Sequence, residues 1–293
     1  MLENFLSQQI HTEIKNLCKL SSGMFSQAYS FIADKKEYVL RLNKHKKDFN
    51  KDIYAFENFG NKLPIPKILK YGKYDDEFYY AITLRCKGRE HDKLDFNDAK
   101  KVLPEIIKTI EITRSIDVAE KQGFGLLDEN GKGENNNWRE AITSFYNHKF
   151  PQINIEKLFD NSILEREFFE KYFKKLFNLL AFIPKEKYLV HGDFGFDNLI
   201  IDDNKITGIL DWAESKYGDF LYDVAWLDFW SNDVEYAREF KNYYVANKTD
   251  IPHFDERIQC YRLHIGLHGL ILAAFLNNRQ DYAKIKEKLK NEN

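Results

Sequence analysis

The chain has 293 residues, with 44 Lys+Arg against 46 Asp+Glu, a formal net charge of −2. Hydrophobic residues make up 43%, with 24 Phe and 17 Tyr, which is enough to build a core and excludes a disordered chain. The charge balance excludes a general nucleic-acid binder, which carries a basic excess or stripe. Cys18, Cys86 and Cys260 lie far apart with no C-x-x-C spacing, so buried reduced thiols are expected rather than disulfides or a zinc site. Met1-Leu2-Glu3-Asn4 lacks a basic segment followed by an apolar one. No apolar run approaches the roughly 18 residues needed to span a bilayer. The expectation is a cytoplasmic monomer without nucleic-acid or membrane partners.

In chain order, Ser21 to Ile32 reads as strand, turn and strand, and Tyr38 to Leu42 alternates like a further strand. A Lys-rich polar stretch (Lys44 to Lys51) precedes a helix marked by Ile53, Phe56, Phe59 and Leu63, which Pro64 and Pro66 stop. Phe78 to Leu84 is aromatic and β-branched, hence a strand, and Cys86-Lys87-Gly88 breaks the pattern. Beyond residue 90 the texture turns helical. Asp95 caps a helix over Asn97 to Ser115, with Val102, Leu103, Ile106, Ile107 and Ile110 as its apolar stripe. A Gly/Asn-rich loop (Gly123 to Asn137) leads to a helix over Trp138 to His148, and a longer helix runs from Ser162 to Ile183. The last 70 residues read as helical throughout. The spacing predicts an α+β fold of two lobes, a β-rich one over residues 1–86 and a mostly helical one over 87–293, joined near residues 84–88.

One stretch carries chemistry. Leu199 to Ile201 and Ile206 to Leu210 read as a hairpin around Asp202 to Lys205, which brings Asn198 close to Asp211. Asp193 lies five residues before Asn198, on a loop where Gly192 and Gly195 permit tight turns. Three oxygen-bearing side chains are thus expected at one end of a hairpin. Such ligands suit Mg²⁺, which takes one or two carboxylates and completes its shell with phosphate oxygens and water. Protein kinases use the same five-residue interval between a catalytic Asp and a metal-binding Asn, followed by a metal-binding Asp.

His191-Gly192-Asp193 with Asn198, Ile209-Leu210-Asp211-Trp212, Gly218-Asp219 and Tyr222-Asp223-Val224-Ala225 resemble the aminoglycoside phosphotransferase family of protein-kinase-like enzymes. Tyr38 to Asn43, Leu63-Pro64-Ile65-Pro66 and Tyr261 to Leu267 are most similar to its hygromycin B phosphotransferase branch. The resemblance implies a bilobal kinase-like fold and transfer of a γ-phosphate from ATP or GTP, with Mg²⁺, to a hydroxyl of an aminoglycoside. Asp193 would be the base, Asn198 and Asp211 the Mg²⁺ ligands, and His191 and Asp219 braces of the catalytic loop.

For the nucleotide, Arg41 stands where kinases place a strand Lys, with Asp52 preferred over Glu57 as its ion-pair partner. Ser21, Ser22 and Gly23 form a thin phosphate loop, and Thr83, Leu84, Arg85 and Cys86 a connection facing the adenine. Between His191 and Glu235 eleven acids face only Lys205 and Lys216, a local field suited to a cationic acceptor. Asp197, Glu214, Asp228 and Trp230 are the expected acceptor contacts, with Trp226 assigned to the core. His264 and His268, one turn apart, read as helix-face residues rather than metal ligands. Two other readings stay open: a related kinase of a sugar, choline, homoserine or macrolide, and a non-catalytic nucleotide-binding regulator, whose signature would be loss of Asp193, Asn198 or Asp211.

Overall fold

The computed structural model describes residues 2–22, 26–145 and 153–292. They form two compact units, one of residues 1–112, 128–131 and 196–214, the other of 113–127, 132–195 and 215–293. Residues 84–88, expected to join two lobes, lie inside the first unit. No described helix is long and apolar enough to cross a membrane.

The first unit opens with a helix that the sequence pattern did not signal, α1 (Leu2–Ile10). Its Leu6 is fully buried with Phe31, Leu40, Leu42, Tyr80 and Ile82. Strands β1 (Lys15–Ser22), β2 (Ser26–Ala33) and β3 (Lys36–Asn43) follow, so the first strand begins earlier than Ser21. Helix α2 (Lys46–Phe59) also starts earlier than expected. Asn43 accounts for this: its Oδ1 accepts the His45 amide at 2.8 Å and its Nδ2 donates to Asp48 at 3.0 Å, which organises the first turn. The buried face then runs through Phe49, Asp52, Ala55 and Phe59 at helical spacing. Strands β4 (Ile68–Lys73) and β5 (Tyr79–Leu84) complete an antiparallel sheet of order β1-β2-β3-β5-β4. At the sheet edge, β4 carries Lys70, Gly72 and Lys73 and exposes alternate residues, so its apolar signal is weak. Helix α3 (Phe96–Arg114) is capped as read: Asp95 Oδ1 accepts the Asp98 amide at 2.9 Å.

The hairpin of this unit pairs Leu199–Asp202 with Lys205–Ile209, and Arg89–Glu90 adds a third strand. Asp203 and Asn204 at its tip both have positive φ, +47° and +58°, the conformation of the tight hairpin turn that Asp and Asn tolerate.

The second unit contains a four-stranded sheet ordered Gly133–Asn135, Phe124–Leu127, Lys216–Gly218 and Tyr188–Val190. Two of these strands fall within the segment expected as loop. Helices Trp138–Thr143 and Arg166–Leu179 are shorter than the spans read from sequence, and residues 146–148 of the former span lie outside the described residues. The final stretch is helical as expected: Leu221–Trp230, Tyr236–Ala246, Phe254–Phe275 and Arg279–Lys290. Phe254–Phe275 packs against the helices Arg166–Leu179, Leu221–Trp230 and Arg279–Lys290 and buries residues on nearly every face. The three cysteines are free thiols, but only Cys260 is buried; Cys18 is exposed and Cys86 half-buried.

Candidate active site

A cavity of about 480 Å³ in the first unit gathers most of the residues assigned above to nucleotide and metal. Ser21, Arg41, Asp52 and Thr83 to Cys86 line it, together with Asp197, Asn198 and Asp211. Gly23 lies outside the described residues, and only the backbone of Ser22 is described. Arg41 projects from β3 and donates through Nη1 to Asp52 Oδ2 at 2.6 Å, while its Nη2 stands 3.4 Å from Asp211 Oδ2. The guanidinium also lies 5.4 Å from the Phe49 ring centre, over its face. Burial opposes charge on this arginine, but Asp52 and Asp211 outweigh it and raise its pKa further. Glu57, the other candidate partner, is exposed.

The hairpin sets the two expected metal ligands side by side. Leu199 pairs with Ile209, and the Asn198 carbonyl accepts the Leu210 amide at 2.8 Å, so Asn198 and Asp211 flank the same end. Asp211 has φ +57°, and the chain after it is held from α2: Asp52 Oδ1 accepts the Trp212 amide at 2.8 Å and Lys51 Nζ donates to the Ala213 carbonyl at 2.7 Å. Among the described residues no group of three or more His, Cys, Asp or Glu could hold a metal. One carboxylate and one amide oxygen facing a shared cavity nevertheless suit Mg²⁺, which takes its remaining ligands from phosphate and water. Asp197 is adjacent; desolvation raises its carboxyl pKa, and Asp92, Glu90 and Asp211 add to the rise. The turn 196–198 is held by His91, whose Nδ1 accepts the Phe196 amide at 3.2 Å. Burial lowers the His91 pKa to about 4, so the ring is a neutral acceptor.

In the second unit the strand Tyr188–Val190 delivers His191, Gly192 and Asp193. Gly192 and Gly195 have φ +85° and +129°, and a Cβ on Gly195 would stand 2.6 Å from the Leu227 side chain, so both require glycine. The Asp193 amide donates to His191 Nδ1 at 3.3 Å. The carboxylate that holds this loop is Asp223, not Asp219: its two oxygens accept the His191 and Gly192 amides, each at 2.8 Å. Burial pushes the Asp223 pKa up to about 6, against the lowering effect of those amides. Asp219 is fully buried and serves elsewhere. Arg257 donates to it from Nη2 and Nε at 2.6 and 2.8 Å, and the Tyr261 hydroxyl donates at 2.6 Å. The sequence offered two acids four residues apart and no means of telling which one faces the loop.

The acceptor assignments divide. The Asp228 carboxylate accepts the Ala237 amide at 2.8 Å and pairs with Arg262, so both oxygens tie the helix 221–230 to its neighbours. The sequence reading places Asp228 among the acceptor contacts; here its carboxylate is engaged within the helical packing. Trp230 is half-buried, edge-on to Phe229 at 4.9 Å and Trp226 at 6.0 Å, with its indole N–H buried and without a hydrogen-bond partner among the described residues. Glu214 is exposed at the end of the short turn 212–214. His264 is buried, hydrogen-bonded through Nδ1 to the Ile142 carbonyl at 2.9 Å and lowered to a pKa of about 3 by burial, as a helix-face core residue would be.

Residues 16–256 match the phosphotransferase enzyme family. The chain belongs to that family. Hygromycin-B 4-O-kinase of Escherichia coli is 28% identical over 284 residues, which cover 96% of this chain and 81% of the relative. A crystal structure of a thermostable mutant of aminoglycoside phosphotransferase APH(4)-Ia, in ternary complex with AMP-PNP and hygromycin B, superposes with a TM-score of 0.86 at 27% identity. That match covers 99% of this chain and 97% of the other. A more distant likeness, TM-score 0.67 at 15% identity over 98% of this chain and 96% of the other, is to the GDP and kanamycin complex of APH(2")-IIIa, and shows the fold alone. Every residue assigned above to base, metal or nucleotide lies within the span that matches the phosphotransferase family.

Proposed function

We propose that this phosphotransferase moves the γ-phosphate of ATP to a hydroxyl of hygromycin B or a closely related cationic aminocyclitol. The observation that carries the reading is the cavity in which Arg41, Asn198 and Asp211 meet beside the strand end Thr83 to Cys86. The structural relative with AMP-PNP and hygromycin B supports the same choice of donor and acceptor. In this reading Asn198 and Asp211 would hold Mg²⁺, which when bound would supply charge neutralisation for the transferring phosphate. Arg41 contacts the phosphates while Asp52 fixes its direction. Asp193 orients the acceptor hydroxyl and takes its proton, and His191 and Asp223 hold the loop that presents it. A loose phosphoryl transition state rewards such positioning and charge neutralisation over covalent help. Trp230 and Asp197 are the acceptor contacts in this reading. Free cysteines accord with a reducing cytoplasm, where the donor nucleotide is made.

The test is Mg²⁺-dependent turnover of ATP and GTP against hygromycin B, other aminoglycosides, and sugar, choline and homoserine acceptors, with mass spectrometry of the product. The expected result is one phosphate added to hygromycin B. Transfer to neutral metabolites and none to aminocyclitols would reject the antibiotic as acceptor.

A further inference from the structure

Lysine is almost never buried without a partner, yet Lys51 on α2 is only 7% exposed. Its ammonium donates to the Ala213 carbonyl at 2.7 Å, and the next residue, Asp52, takes the Trp212 amide at 2.8 Å. Two consecutive residues of one helix therefore grip two of the peptide groups that follow Asp211. Asp211 itself has φ +57°. Aspartate visits that region more readily than most residues, typically where local hydrogen bonds hold it. The two contacts from α2 restrain residues 212 and 213, beside the Ala213 amide, which donates to Asp211 Oδ1 at 3.4 Å, and the Trp212 indole, which donates to the Ile209 carbonyl at 3.2 Å. A hydrogen bond from a charged donor in a buried setting is also among the stronger ones.

We propose that Lys51 is a positioning residue for phosphoryl transfer, fixing the Asp211 carboxylate toward its metal by holding the Ala213 carbonyl. The proposal rests on Asp211 as a Mg²⁺ ligand. Residues that orient a metal ligand from behind change metal affinity or turnover when replaced, by about 10- to 100-fold.

Lys51→Met keeps the buried stem and removes the donor. The probe is Mn²⁺, titrated by electron paramagnetic resonance against the protein with ADP present, alongside kcat and a melting curve. In folded Lys51→Met, Mn²⁺ affinity and kcat are each expected to fall about 10- to 100-fold, with the acceptor KM unchanged. If Lys51→Met does not fold, Lys51→Gln decides. Its shorter, uncharged amide loses the charge-assisted bond to the Ala213 carbonyl, so its Mn²⁺ affinity falls too, and a wild-type value overturns the proposal. Asp211→Asn separates the two layers. A wild-type Mn²⁺ affinity in Asp211→Asn overturns the metal-ligand reading itself. Loss in Asp211→Asn with wild-type affinity and kcat in Lys51→Met overturns the role of Lys51 alone.

Discussion

Arg41 donates to Asp52 at 2.6 Å, and the carboxylate that receives it is 5% exposed. Because the same guanidinium reaches to 3.4 Å from Asp211, its fork joins a strand, a helix and the segment after the hairpin. Lysine keeps the charge but cannot span both carboxylates. Arg41→Lys is therefore expected to stay folded while kcat/KM for ATP falls by about 10-fold or more, the loss of one charge-assisted contact. Arg41→Met leaves Asp52 buried and unpaired, and should lower unfolding free energy by about 3 kcal/mol. Steady-state kinetics and urea melts check the two outcomes.

Asp223 and Asp219 are separable by the property each one moves. The Asp223 pKa is raised to about 6 in the folded chain, against about 3.9 for an unfolded aspartate. Between those values the native state binds more protons than the unfolded one. This carboxyl's contribution to stability is therefore fully present below about pH 4 and is lost as pH rises through 6. The stability difference between wild type and Asp223→Asn should shrink over that window by up to about 3 kcal/mol. A flat difference across pH 4 to 6 in denaturant melts would reject the raised value.

Asp219→Asn leaves the buried Arg257 guanidinium without its counter-charge. The expected cost is about 3–5 kcal/mol of stability, with kcat of the folded fraction close to wild type. A selective loss of kcat without a stability loss would instead return Asp219 to the catalytic loop.

Asp228 offers a check on the acceptor contacts. With both oxygens engaged by Ala237 and Arg262, Asp228→Asn should cost about 1–3 kcal/mol of stability and leave the acceptor KM unchanged. A raised KM for a cationic acceptor, with stability intact, would restore its assignment to the substrate.

The sequence was most legible where function is local. The hairpin could be read because its strands alternate around Asp-Asp-Asn-Lys, and its register alone sets Asn198 beside Asp211. Arg41 and Asp52 were legible as a strand residue and a helix residue eleven apart, and they do pair. What stayed hidden depends on packing. Lys51 lies at the end of a Lys-rich run and reads as solvated surface until the helix is seen to turn it inward. Asp223 and Asp219 differ only in the direction they face at the start of one helix. His91 carries no motif, and its contact with the Phe196 amide spans 105 residues. α1 and β4 are short, with apolar positions too few or too alternately exposed for a periodic signal.

Turnover of Asp193→Ala with ATP, Mg²⁺ and hygromycin B, set beside wild type and a melting curve, bears most directly on the assigned chemistry. If Asp193 takes the acceptor proton, kcat falls by about 10²- to 10⁴-fold while the variant melts like wild type. Near wild-type phosphorylation of hygromycin B by the folded variant would contradict that role.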